Sequence, residues 1–200
     1  MNVKEEKKKL REKIWKILEE KNIARFPFPI RGRIPNFEGS EKAAEKLLKL
    51  EDWKKARSVF VSPDSPQRKV RELVLKSRKT LIMATPRLKQ GFLEIKNVKK
   101  FEFASTIKGA FKVGKLLKEL PKIDLIVIGS VAVDKAGWRL GKGGGYGDRE
   151  VAEITKKSGK IPIITTVHDL QIVEKVPHEA HDIKVDYILT PTRIIKTEKF

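Results

Sequence analysis

The chain has 200 residues, of which 45 are Lys or Arg and 26 are Asp or Glu, a formal charge of +19 with the histidines neutral. Cysteine is absent, which excludes disulfides, thiolate metal sites and a cysteine nucleophile. The surplus of cations suits a polyanionic partner, nucleotide and RNA alike.

A chain of this length without a long polar spacer predicts one domain, residues 1–200, large enough for a real core. No apolar run approaches the roughly 18 residues of a membrane span. The basic start, residues 1–11, is not followed by the apolar stretch of a signal peptide, so a cytoplasmic protein without membrane association is expected. Abundant Lys with no Cys and few Met also matches the composition of a thermophile protein.

Residues 3–21 read as an amphipathic helix with Leu10, Ile14, Ile17 and Leu18 on its inner face. Lys4, Lys7, Lys8, Lys9 and Arg11 crowd its first half, a pattern that by itself is usually a solvated basic face. In residues 26–37, Pro27, Pro29, Pro35 and Gly32 forbid a regular helix or a central strand. An extended surface segment is expected there, either a ligand lid or a packed arm. Ser40 is placed to cap a helix running to about Leu50, with Ala43, Ala44, Leu47 and Leu48 inward. A strand at 58–61, a helix from about Pro66 to Lys76 with Val70, Leu73 and Val74 inward, and a strand at 80–84 then form a βαβ unit.

Residues 85–111 are interrupted by Pro86, Gly91 and Gly109, with only 101–103 strand-like. A helix from about Lys112 to Leu120 is expected to lead into a strand at 125–128, and strands at 161–166 and 186–190 follow. The tail, 196–200, is expected to fray. This alternation predicts an α/β protein of three layers around a mostly parallel sheet.

Residues 139–149 hold the chemistry. Glycines at 141, 143, 144, 145 and 147 allow a backbone to approach an anion, Arg139, Lys142 and Arg149 supply cations, and Asp148 is a carboxylate suited to a divalent metal. With an apolar strand before the loop and a helix at about 150–154 after it, free N–H groups and the positive end of a helix dipole meet at the strand's carboxyl end. The spacing matches neither the Walker pattern nor the dinucleotide fingerprint. A glycine-rich turn is often a plain loop, but these cations with Tyr146 and Asp148 favour a phosphate ligand.

Residues 131–149 resemble the nucleotide motif of the 5-formyltetrahydrofolate cyclo-ligase, or methenyltetrahydrofolate synthetase, family. Residues 7–11 resemble its Lys-x-x-Leu-Arg in the first helix, and 177–186 its carboxy-terminal signature. Residues 34–40, 85–88, 166–169 and 185–193 are similar to a divergent branch, the methenyltetrahydrofolate synthase domain-containing proteins. Animal members of that branch add an RNA recognition motif, for which this chain shows no RNP-like aromatic segment.

The resemblance implies a Rossmann-like α/β/α domain that uses ATP and Mg2+ to convert 5-formyltetrahydrofolate, or a related pterin, to 5,10-methenyltetrahydrofolate with release of ADP and phosphate. Carried over by position, Lys7 and Arg11 contact the phosphates. Arg139, Gly141, Lys142, Gly143, Gly144 and Gly145 form the cradle, with Arg139 and Lys142 opposing charge on the transferred group. Tyr146 borders the formyl group, and Asp148 and Asp182 ligate Mg2+. Asp182 read alone is as well explained by a loop contact, and Tyr146 by core packing. His168, His178 and His181 lack metal-ligand spacing and read as structural or as supports behind the site.

Two positions depart from the family pattern. Gly147 stands where a second tyrosine is usual, and the glutamate expected to read the pterin falls near Pro66, which offers neither a carboxylate nor an N–H. Asp64 is a displaced candidate for that carboxylate. The substrate therefore stays open between a folate, another small molecule on the same MgATP site, for instance a thiamin-related one, and a basic RNA-binding role. The last is disfavoured because basic residues and aromatics interleave only at residues 26–37.

Overall fold

The computed structural model describes residues 1–198. Helix α1 (Val3–Glu20) starts where the Asn2 side chain accepts the Glu5 N–H at 2.9 Å. Its buried residues are Ile14, Trp15 and Leu18. Trp15, absent from the expected stripe, donates its indole N–H to the Arg33 carbonyl at 3.1 Å, which satisfies the one polar atom that would oppose its burial.

Strands β1 (Ala24–Arg25) and β2 (Asn36–Phe37) pair antiparallel and close the proline-rich segment into an arm. Ile30, Ile34 and Phe37 are buried, while Phe26 and Phe28 face solvent. Helix α2 (Ser40–Glu45) is preceded by Gly39 at φ 85° and tightens into a 3-10 turn over Lys46–Lys49, short of the expected Leu50. Three residues per turn rotate the face. Ala43, Ala44 and Leu47 stay inside, but Leu48 turns out and is 45% exposed.

After α3 (Glu51–Lys55), strand β3 (Ser58–Val61), helix α4 (Arg68–Lys76) and strand β4 (Thr80–Ala84) form the expected βαβ unit, with a 3-10 turn at Ser65–Gln67 before α4. Strand β5 (Phe92–Ile95) returns antiparallel on β4. Residues 101–103 are helical rather than strand-like, in α5 (Phe101–Ala104), because Phe101 and Ala104 both turn onto the core, a spacing of three. Thr106 then caps α6 (Ile107–Val113) by accepting the Gly109 N–H at 2.9 Å. The helix expected at 112–120 thus lies earlier, ends at Gly114, and gives way to the edge strand β6 (Lys115–Leu116).

Strand β7 (Leu125–Ile128) is followed by a hairpin of β8 (Ala132–Asp134) and β9 (Arg139–Leu140), then α7 (Tyr146–Ser158), β10 (Ile163–Thr166), β11 (Ile172–Val173), β12 (Tyr187–Leu189) and β13 (Ile194–Lys196). The tail is ordered further than expected. Lys196 lies in β13, and buried Thr197 donates its hydroxyl to the Val185 carbonyl at 2.7 Å. Residues 199 and 200 lie outside the described residues.

The main sheet has the order β13-β12-β10-β7-β3-β4-β5-β6. Its five central strands, β12 to β4, run parallel, and the edges are antiparallel. Alternate residues of the strands feed opposite faces. Val59, Val61, Leu81 and Met83 pack towards α2, α3 and α4, whereas Phe60, Ile82, Ile126 and Ile128 pack towards α7 through Val151 and Ile154. This is a three-layer Rossmann-like α/β/α arrangement. Helix α1 sits on a third cluster with the arm and the β8–β9 hairpin, through Trp15, Ile34, Ala132 and Leu140.

The strand order fixes where a ligand can enter. From β3 the chain moves outward to β4, and from β7 it moves the other way to β10, while β3 and β7 lie side by side. The diverging connections leave a crevice at the carboxyl ends of these two strands.

Candidate active site

A cleft of about 470 Å3 opens at that crevice. Ser62 to Ser65 enter it from the end of β3, Ile128 from the end of β7, and residues 139–148 from the hairpin and α7. Lys7, Arg11, Arg139, Gly141, Lys142, Gly143, Gly144, Gly145, Tyr146, Asp148 and Asp182 all line it, so every expected site residue is brought to one place.

Helical geometry explains the choice among the lysines of α1. Lys7 and Arg11 are four residues apart on one face and partly buried, whereas Lys4, Lys8 and Lys9 are exposed. Lys7 Nζ is 2.6 Å from Asp182 Oδ2, and Arg11 Nε donates to the Gly141 carbonyl at 2.7 Å. The first helix is thereby stitched to the glycine loop and to the carboxy-terminal segment.

The loop reaches the site by a longer route than expected. It follows β9 of the inserted hairpin rather than β7 directly, and buried Arg139 returns to the end of β7 by donating Nε–H to the Gly129 carbonyl at 2.7 Å. Helix α7 starts at Tyr146, not near 150. Its N-cap is Gly145 at φ 73°, and no side chain caps the first turn, which leaves N–H groups to an incoming anion. A Cβ on Gly144 would stand 2.8 Å from the Tyr146 ring, so the ring lies flush on the loop and closes one side of the cleft.

Electrostatics sharpen the picture. Burial lowers the pKa of Arg139, and Asp148, whose Oδ1 is 3.8 Å from Nη1, is the largest of the carboxylates opposing that loss. Burial raises the carboxyl of Asp64, against the pull of Lys142 and Arg139. Burial and the neighbouring Asp64 push Glu150 up to about 8. Asp182 behaves oppositely: burial is outweighed by the Lys7 hydrogen bond and the Glu179 N–H, which hold it below its ordinary range. Two acids that resist ionisation beside several cations make a floor whose net charge suits a polyanion.

The donors fit ATP with Mg2+. The loop is a cradle of glycines, two of them at φ 113° and 73°, edged by Arg139 and Lys142. No group of three or more His, Cys, Asp or Glu could hold a metal among the described residues. Asp148 and Asp182 would supply the hard-oxygen share that Mg2+ takes from protein when phosphates and water complete its shell.

The lining also holds residues outside the expected site set. Pro27, Arg33 and Ile34 bring the proline-rich arm into the wall, so it is both packed arm and cleft border. Glu150 was hidden in an ordinary helical pattern and Ser62 was signalled only by its place after a central strand, while Asp64, the displaced carboxylate candidate, does line the cleft. Pro66 and Gln67 are buried and do not line the cleft; Gln67 Nε2 donates to Thr166 at 2.8 Å. His168 accepts the Leu170 N–H at 3.0 Å and His178 stacks on Trp138 at 3.8 Å, both structural as expected, whereas exposed His181 borders the cleft.

An α/β protein with a basic, glycine-built cleft at the switch point of its sheet belongs to the Rossmann-like class, in which ligands bind at that point. A profile of the 5-formyltetrahydrofolate cyclo-ligase family matches residues 3–191. The chain belongs to that family, whose name is that of a ligase. It is 43% identical over 207 aligned residues to the methenyltetrahydrofolate synthase domain-containing protein of Bos taurus, covering 96% of this chain and 54% of the relative. The Danio rerio protein of the same name is 40% identical over 215 residues, 99% of this chain and 55% of its own. The chain thus spans about half the length of these curated relatives. Among solved structures, the 5,10-methenyltetrahydrofolate synthetase of Aquifex aeolicus aligns with a TM-score of 0.62 at 23% identity, over 100% of this chain and 95% of that one. That likeness bears on the fold. No helix is long and apolar enough to cross a membrane among the described residues.

Proposed function

We propose that the chain binds MgATP and converts 5-formyltetrahydrofolate, or a related modified folate, to 5,10-methenyltetrahydrofolate with release of ADP and phosphate. The observation that carries this reading is the convergence of Lys7, Arg11, Arg139 and Lys142 on the glycine loop and the open first turn of α7, within one cleft. Family membership supplies the substrate class.

In this reading Lys7 and Arg11 bind the phosphates from the α1 side, and the N–H groups of residues 141–147 bind them from the loop. Asp148 and Asp182 hold Mg2+, with Lys7 shared between Asp182 and the nucleotide. Bound MgATP supplies a transferable phosphoryl group that turns the formyl oxygen into a leaving group for ring closure. Arg139 and Lys142 stabilise the charge that builds on that group, and their fixed positions spare the reorganisation that water would need. Tyr146 walls off the reacting carbon from water. Asp64, on the loop after β3, offers the substrate a carboxyl group, held towards its neutral form by burial, where Pro66 and Gln67 present none.

The buried Pro66 favours a second reading as well, in which the same MgATP site serves another small acceptor. Both are tested by following methenyl absorbance with MgATP and 5-formyltetrahydrofolate in the wild type and in Asp148→Ala. Product formed by the wild type and lost in the variant supports the cyclo-ligase. Nucleotide binding without product favours another acceptor, and absence of nucleotide binding refutes both.

A further inference from the structure

We propose that Arg87, on the loop between β4 and β5, determines specificity for the substrate's acidic tail, with Leu88 and Ile107 receiving the aromatic ring that precedes it. The inference rests on the folate reading of the site and names the part of the cleft that reads the benzoyl-glutamate end.

The loop is built to hold one conformation. Thr85 N–H and its hydroxyl both donate to the Gly91 carbonyl, at 2.9 and 3.0 Å, and the hydroxyl accepts the Gln90 N–H at 3.0 Å. Between these anchors Arg87 and Leu88 are consecutive non-glycine residues at φ 56° and 53°. Left-handed backbone at such residues is strained, and persists where the surroundings over-determine it. A loop that needed only to turn would be served by Gly or Asn. Here the geometry sends Leu88 onto the core face shared with α7 and leaves Arg87 exposed at the cleft.

The other cleft arginines and Lys7 already have partners. Lys7 holds Asp182, Arg11 the Gly141 carbonyl, Arg139 the Gly129 carbonyl and Arg33 the Pro29 carbonyl. Among the described residues no carboxylate pairs with Arg87. It follows β4, two places along the sheet from β7, where Arg139 is tied, so roughly 10 Å separates the two strand ends. The same cleft lining holds apolar Leu88 and Ile107, the latter 40% exposed although aliphatic. A second cation, set apart from the phosphate cluster by two strands and sharing the cleft with apolar side chains, matches a ligand with an aryl group followed by carboxylates. A guanidinium grips such carboxylates bidentately.

The test is steady-state kinetics of Arg87→Ala and Arg87→Lys, with binding of p-aminobenzoylglutamate measured by calorimetry. For Arg87→Ala, the KM for 5-formyltetrahydrofolate should rise roughly 10- to 100-fold, the value of a charge-assisted contact. Its kcat and its KM for ATP should stay within about twofold, and Arg87→Lys should recover part of the loss. A 5-formyl-6-(anilinomethyl)tetrahydropterin, which keeps N10 and its aryl ring but lacks the carbonyl and glutamate carboxylates, should be turned over equally by wild type and variant. A rise in the KM for ATP would make Arg87 a phosphate ligand and overturn the proposal, as would an unchanged KM for the folate. If the wild type makes no methenyl product, the cyclo-ligase reading fails separately. Binding of p-aminobenzoylglutamate by wild type and its loss in Arg87→Ala would then still support the tail site, and binding by neither or equally by both would overturn it.

Discussion

Gly147 offers the sharpest test of how the site is held. A Cβ added there would stand 3.0 Å from both Nη atoms of Arg139 and 3.3 Å from Cζ. Comfortable separation is about 3.5–4.0 Å, so the guanidinium must retreat. It cannot retreat freely, because Nε is tied to the Gly129 carbonyl at 2.7 Å and the side chain is only 6% exposed. For Gly147→Ala two effects oppose each other. Replacing Gly by Ala in a helix gains up to about 1 kcal/mol. Loosening a hydrogen bond from a charged donor costs about 1.5–3 kcal/mol. The net expectation is a loss of about 0.5–2 kcal/mol in urea denaturation and a roughly 3- to 30-fold weaker Kd for MgATP by titration calorimetry. A variant about 1 kcal/mol more stable than the wild type, with unchanged nucleotide affinity, would refute the claim that the Arg139 guanidinium occupies the side-chain space above Gly147.

Lys7→Ala should weaken MgATP binding at least 10-fold and destabilise the fold by about 1–3 kcal/mol, since it removes a phosphate contact and strands Asp182, whose side chain is 6% exposed. Two aspartates should show opposite pH signs in thermal melts. The folded carboxyl of Asp64 is raised above 3.8, so stability is full below that value and declines as pH rises through the folded value; Asp64→Asn should flatten that decline. Asp169 is lowered below 3.8: burial opposes this, but hydrogen bonds from Thr192, Thr190 and Arg193 prevail. Its stabilisation is present above 3.8 and lost as pH falls through the folded value, and Asp169→Asn should lose about 1–2 kcal/mol at neutral pH while converging with wild type in acid.

What was legible in the sequence was local. Apolar runs at 58–61, 80–84 and 125–128 announced buried strands because a parallel strand covered on both faces must be apolar throughout. The four-residue spacing of Lys7 and Arg11 sets both on one side of a helix whatever the rest does, and the glycine run marked a backbone open to close approach. Where local signals misled, a longer-range contact overrode them. Residues 101–103 alternate like a strand, yet they fold as a helical turn because Phe101 and Ala104 find the core together.

The family resemblance had grouped Lys7, Arg11, the glycine loop and Asp182, but the tertiary structure alone decided where on the sheet they meet and in what charge state. Strand order is set by packing between segments far apart in the chain, so the switch point beside β3 and β7 could not be read from neighbours. The same holds for the β8–β9 hairpin that carries the glycine loop, and for the buried seat of Arg139. Glu150 looks like any other acid in the sequence, and nothing there marks the charge state of Asp64. Only the removal of water around them, done by elements distant in the chain, raises their pKa values, because desolvation depends on the whole fold while periodicity depends on adjacent residues.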